Sequence, residues 1–226
     1  METSLHRQLK ERYADDQKQV EVRLGDYRID AIAGDKLVEI QHGSLAAIRD
    51  KIQKLVQEHD VLLVKPVVAV KHLVKLREKD GPVVERRRSP KRGRLLDIFD
   101  ELVYFTRVFP HPRLTLEVPL VEVEEHRYPG HGRRRRRRKR DHVSADQLLL
   151  DVTDVHQFST ADDLARLVPA DELPSPFHTG HLAEAMELDR WIAQRIAYCF
   201  RKMGTTNEVG KKGNALLYEF AHAKAA

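Results

Sequence analysis

Cysteine is nearly absent: Cys199 stands alone in 226 residues. That excludes an internal disulfide and any zinc site built on several thiolates, and it suits a reducing compartment. Aromatic residues make up only 6% of the chain, with one tryptophan, Trp191. No apolar run approaches the roughly 20 residues that a helix needs to cross a bilayer. The opening METSLHRQLKERY lacks the apolar core of a secretory leader. A soluble, cytoplasmic protein with no membrane partner is expected. The length suffices for one or two domains of roughly 100 to 150 residues each.

A broad basic character is missing too, although the formal charge is +5. The tract RRRRRRKR supplies eight of the 40 lysines and arginines: Arg133, Arg134, Arg135, Arg136, Arg137, Arg138, Lys139 and Arg140. Without it the chain holds 32 basic against 35 acidic residues, or −3. Such a segment binds polyanions by counterion release, without sequence preference. A second cluster, ERRRSPKRGR from Glu85 to Arg94, is more mixed.

What is present is a clear alternation of elements. TSLHRQLKERY carries Leu5, Leu9 and Tyr13 on one helical face, with Thr3 or Ser4 as cap. QVEVRL, YRIDAIA and KLVEIQ read as three strands joined by turns at Gly25-Asp26 and Gly34-Asp35. Ser44 caps a predicted helix over SLAAIRDKIQKLVQEH, and VLLVKPVVAV reads as a buried strand interrupted by proline. The order is αβββαβ. KHLVKLR and VVERRRS then suggest a hairpin, RLLDIFDELVYFT a helix, and RLTLEVPLVEVEEHRY a long half-exposed strand.

Two acids stand out inside the strands. Asp30 lies within YRIDAIA and Glu39 within KLVEIQ, where an unpaired buried carboxylate would cost several kcal/mol. Strand alternation puts Glu39 and Gln41 on one face and lets Asp30 converge with them at one sheet edge. The plainer reading pairs Asp30 with Arg28 or Arg23 and Glu39 with Lys36. His6 and His42 read as surface or cap residues.

Asp30, then eight residues, then Glu39-Ile40-Gln41 on the next strand, within an αβββαβ order, resembles the PD-(D/E)xK nuclease superfamily in its E-x-Q form. That resemblance implies an α/β, restriction-endonuclease-like core with a mixed sheet. It further implies Mg²⁺ or Mn²⁺ held by Asp30, Glu39 and the Ile40 carbonyl. The family's lysine position holds Gln41, with Arg49 or Lys51 on the following helix as compensating candidates. The family's further acid on the first helix corresponds to Glu11, with Glu21 competing. Hydrolysis of a phosphodiester needs a hard cation to offset phosphorane charge and to acidify water, and carboxylates supply the oxygen ligands.

Past PGHG and the basic tract, a Pro-rich loop leads to a helix from Thr179 to about Met186, then a turn. A second helix follows, opened by Asp189 and stopped by Gly204, and a hairpin with the tip GKKGN. This run resembles a winged helix-turn-helix domain. In that arrangement the second helix enters the major groove and the wing touches the backbone, which implies DNA contacts from Arg190, Gln194, Arg195, Lys211 and Lys212. Trp191 reads either as a stacking or as a packing residue. The expected organisation is a nuclease-like domain over 1–128, a basic linker over 129–142 and a mostly helical winged-helix domain over 143–226. The expected function is metal-dependent hydrolysis of DNA, with homodimerisation plausible for cutting both strands. The alternative is a catalytically inactive, nuclease-like DNA-binding or regulatory protein.

Overall fold

The computed structural model describes residues 3–16, 19–130 and 142–221. By its contacts the chain divides into two compact units, each assembled from three segments. One holds Met1–His42, Val64–Leu95 and Val118–His156; the other holds Gly43–Leu63, Leu96–Glu117 and Gln157–Ala226. The protein is α/β, with a large mixed sheet and several helices.

In the first unit, α1 (Ser4–Tyr13) starts at Thr3, whose hydroxyl accepts the His6 N–H. It buries Leu5, Leu9 and also Lys10. The strands β1 (Val20–Leu24), β2 (Tyr27–Ala33) and β3 (Lys36–Ile40) form an antiparallel meander. Its two turns use Gly25 and Gly34 at φ +57° and +59°, a left-handed backbone that glycine adopts without steric cost. Ile29, Ala31 and Val38 are fully buried beneath α1 and its neighbours. Polar pairs fasten α1 to β8 (His142–Phe158): Ser4 donates its N–H and hydroxyl to Asp146, and Gln8 accepts the Leu149 N–H at 2.8 Å.

The sheet order is β1-β2-β3-β4-β7-β5-β6, with β8 paired to β7. The apolar run after residue 60 is two strands rather than one, β4 (Val61–Val64) and β5 (Val67–Leu76). Pro66 separates them, since proline has no N–H for a ladder. β5 makes the expected hairpin with β6 (Val83–Arg88) and runs parallel to β7 (Leu114–Pro129). β8 begins inside the stretch expected to open the second domain and belongs to this sheet.

In the second unit, the helix expected over 44–59 is a 3₁₀ turn at Leu45–Ala47 followed by α2 (Arg49–Leu55). Ile48, at φ −112° and ψ 3°, leaves helical geometry between them. Likewise α3 covers only Ile98–Leu102, because Val103, Tyr104 and Phe105 lose side-chain freedom in a helix. Then come α4 (Ala161–Ala165), α5 (Thr179–Ala185), α6 (Arg190–Met203) and the hairpin β9 (Thr206–Lys212) and β10 (Ala215–Phe220). Gly204, at φ +80°, stops α6 as its sequence foretells. Phe177 and Tyr218 exchange backbone hydrogen bonds, which adds a bridge beside the hairpin. Phe99 of α3 meets Phe200 of α6 edge to face at 5.7 Å.

Candidate functional site

The β2–β3 pairing runs Ala33↔Lys36, Ile32↔Leu37 and Ala31↔Val38. One step further lie Asp30 and Glu39, which register places opposite each other on one face. The Asp30 side chain enters the ladder at that point, where Oδ2 accepts the Ile40 N–H at 2.9 Å. Its other oxygen, Oδ1, faces His6 Nε2 at 3.3 Å and Lys10 Nζ at 3.6 Å. The two side chains reach it together because positions 6 and 10 are one helical turn apart.

Burial alone would raise the Asp30 carboxyl. The hydrogen bonds from His6 and Ile40, with the charges of His6 and Lys10, outweigh it and hold the group below its usual range. Lys10 is almost fully buried and also bonds Glu21 Oε1 at 2.7 Å; Glu21 in turn takes Arg28. Glu39 is 4% exposed. Glu39 is therefore shielded from bulk water, while the Asp30 side chain keeps partial access at 19% exposed.

The end of β3 adds three groups. The Gln41 N–H donates to the Val64 carbonyl at 2.9 Å, joining β3 to the end of β4. Lys65, 6% exposed, donates Nζ to the His42 carbonyl at 3.0 Å. Burial pushes the His42 imidazole down to about 4, helped by the charges of His6 and Lys65. Among the described residues its Nε2 is buried without a hydrogen-bond partner, and its ring lies 6.3 Å from that of His6. The site is thus a neutral imidazole, an ionised aspartate, a buried glutamate and two buried lysines.

The structure sets Asp30 opposite Glu39, with Ile40 and Gln41 following on the same segment, and adds His6, Lys10, His42 and Lys65, which the motif does not include. The expectation that His6 and His42 are surface or cap residues is corrected here. Lys10 at i+4 from His6, and the placement of His42 directly after the acidic strand, were the available signals. Glu11 points to solvent, whereas Lys10, 100° around the helix, turns inward. Arg49 and Lys51 lie on α2 in the second unit, and Arg49 pairs with Asp50 at 2.9 Å. The tract Arg133–Arg140 lies outside the described residues.

In the second unit Arg190, Gln194, Lys211 and Lys212 are exposed. Arg195 is engaged instead, in an ion pair with Asp100 and over the Trp191 ring at 4.6 Å. Cys199 is fully buried.

Among the described residues no group of three or more His, Cys, Asp or Glu is arranged to hold a metal ion. That rules out a preformed all-protein cage there, but Mg²⁺ keeps several waters and commonly uses one or two carboxylates plus substrate phosphate. Asp30 Oδ1 is held only at 3.3 and 3.6 Å, longer than the ~2.7–2.9 Å of a firm charge-assisted bond. An ionised oxygen with long contacts, next to a second carboxylate, is a donor set of the kind a hard cation takes.

The family model described as Domain of unknown function (DUF8091) matches residues 3–159, from the start of α1 to the end of β8, and the chain belongs to that family. An uncharacterized protein of Treponema pallidum (strain Nichols) is 28% identical over 219 residues, covering 96% of this chain and 84% of its own. No solved structure matches. Among the described residues no helix is long and apolar enough to cross a membrane.

Proposed function

We propose that this member of the DUF8091 family is a metal-dependent nuclease acting on DNA, with its reaction centre at Asp30 and Glu39. The observation that carries the reading is the paired placement of these acids where Asp30 interrupts the β2–β3 ladder, with Oδ2 bonded to Ile40 and Oδ1 held only by long contacts. The element order from α1 to β4, with β4 adjacent to β3, is compatible with a restriction-endonuclease-like core and supports the reading. The run from the Phe177 bridge through α5, α6 and the β9–β10 hairpin supports a winged helix that holds the nucleic acid.

Asp30, Glu39 and the Ile40 carbonyl would hold Mg²⁺ or Mn²⁺. The bound ion would offset charge on the phosphorane and make an attacking water more acidic. Lys10 and Lys65 supply the positive charge that Gln41 lacks, from α1 and from the next strand respectively. In a site sheltered from solvent each acts on a phosphate more strongly than a surface lysine does. Gln41 keeps a hydrogen-bonding side chain beside Glu39 for orienting water. His6 holds Asp30 in its ionised form.

Plasmid nicking with Mg²⁺ or Mn²⁺ tests the reading. Asp30→Asn and Glu39→Gln each keep shape and are expected to abolish nicking while leaving DNA affinity intact. Equal nicking by wild type and both variants refutes the site. Binding without nicking by the wild type leaves the inactive DNA-binding alternative.

A further inference from the structure

Trp191, the chain's single tryptophan, stands at the second position of α6 and is 48% exposed. Indoles are usually highly buried, and α6 has a core face available, occupied instead by Ile192, Ile196 and Phe200. One side of the ring is already covered by the Arg195 guanidinium, 4.6 Å from its centre and one turn along the helix. That guanidinium is anchored from behind by its ion pair with Asp100 of α3. The ion pair restrains the guanidinium in this stack, and about half of the Trp191 surface is open to solvent.

Basic residues flank the ring, with Asp189, two positions before it, the acid nearest in the chain. Arg190 precedes the tryptophan, and Lys211 and Lys212 are exposed at the end of β9. Both Lys212 and Arg190 act electrostatically on the His178 ring, so the hairpin tip and the start of α6 share one corner of this unit. The neighbours of the ring in the chain include the polar Arg190, Gln194 and Arg195 beside Leu188.

We infer that Trp191 is a stacking platform for an unpaired nucleic-acid base, with Arg190, Lys211 and Lys212 holding the neighbouring phosphates. Paired bases hide their faces in the duplex stack, whereas every unstacked base offers a π-face to an open aromatic ring. An arginine on the far side of the indole strengthens such a platform by a cation–π contact. The inference rests on the second unit being the nucleic-acid-holding part of the proposed nuclease. It adds a substrate class: DNA with single-stranded, frayed or branched segments.

The test uses the full chain in EDTA, so that no cleavage intervenes. A short oligothymidylate and a hairpin duplex of equal phosphate number are titrated against fluorescence excited at the red edge, where the six tyrosines do not absorb and Trp191 reports alone. The oligothymidylate is expected to quench strongly and the duplex weakly. By labelled-oligonucleotide anisotropy, Trp191→Leu should weaken oligothymidylate binding about 5- to 100-fold and leave duplex binding unchanged, while Trp191→Phe keeps most of the affinity. An unchanged urea midpoint for Trp191→Leu confirms that its fold is intact. Equal quenching by the duplex, unchanged oligothymidylate affinity in Trp191→Leu, or no binding of either DNA overturns the inference. Failure of nicking with retained quenching removes the reaction centre and leaves the platform; intact nicking with an unaffected Trp191→Leu does the reverse.

Discussion

Glu125 sits on β7, 5% exposed, with Oε1 accepting from Arg127 at 2.6 Å and Oε2 from Lys71 at 2.9 Å. Burial would raise this carboxyl, yet the two cations draw it from 4.5 down to about 2. At about 1.4 kcal/mol per unit, that shift amounts to roughly 3 kcal/mol of stability at neutral pH. Lys71 and Arg127 are about a quarter exposed, and partial solvent screening brings the expected cost of Glu125→Gln to about 2–3 kcal/mol. The folded-state value lies below the unfolded one, so the stabilisation is fully present above pH 4.5 and fades as the pH falls toward 2. Urea unfolding of wild type and Glu125→Gln, at neutral pH and at stepwise lower pH, measures both the gap and its closure. A variant as stable as wild type at neutral pH, or a gap that stays constant on acidification, refutes the reasoning.

Two more outcomes follow from packing. A Cβ on Gly93 would lie 2.7 Å from the Val68 carbonyl oxygen and 2.8 Å from Val67 Cγ1, so Gly93→Ala should cost about 1–3 kcal/mol, read as a lowered Tm; an unchanged Tm disproves the close approach. Burial raises the Cys199 thiol to about 12, so a thiol reagent should label the native protein only on unfolding, and stoichiometric labelling in native buffer would contradict that burial.

Local signals were strong enough to give the β1–β3 meander, whose turns are marked by Gly25 and Gly34, and the α5–α6–hairpin order, punctuated by Asp189 and Gly204. Helix lengths were less legible. Both 44–59 and 94–106 have helical spacing, but a break at Ile48 and the β-branched and aromatic run after Leu102 shorten the helices that form. The acids of the site could be read because they violate strand patterning. Their cationic partners could not, since Lys10 and Lys65 are ordinary lysines until α1 and the end of β4 bring them beside β2 and β3. Arg195 shows the opposite failure: on a helical projection it is one more solvent-facing cation, and only the tertiary pairing with Asp100 takes it out of that role.

The fastening of α1 to β8 spans most of the chain: Ser4 is 142 positions from Asp146, and Gln8 is 141 from Leu149. During synthesis the N-terminal helix emerges long before the strand that secures it, and His6 and Lys10 leave the ribosome before Asp30 does. The polar face of α1 therefore gains its anchor only when β8 has been made. A nascent chain or a truncation ending before β8 would carry every residue of the proposed reaction centre and still lack the tether that fixes the helix bearing His6 and Lys10.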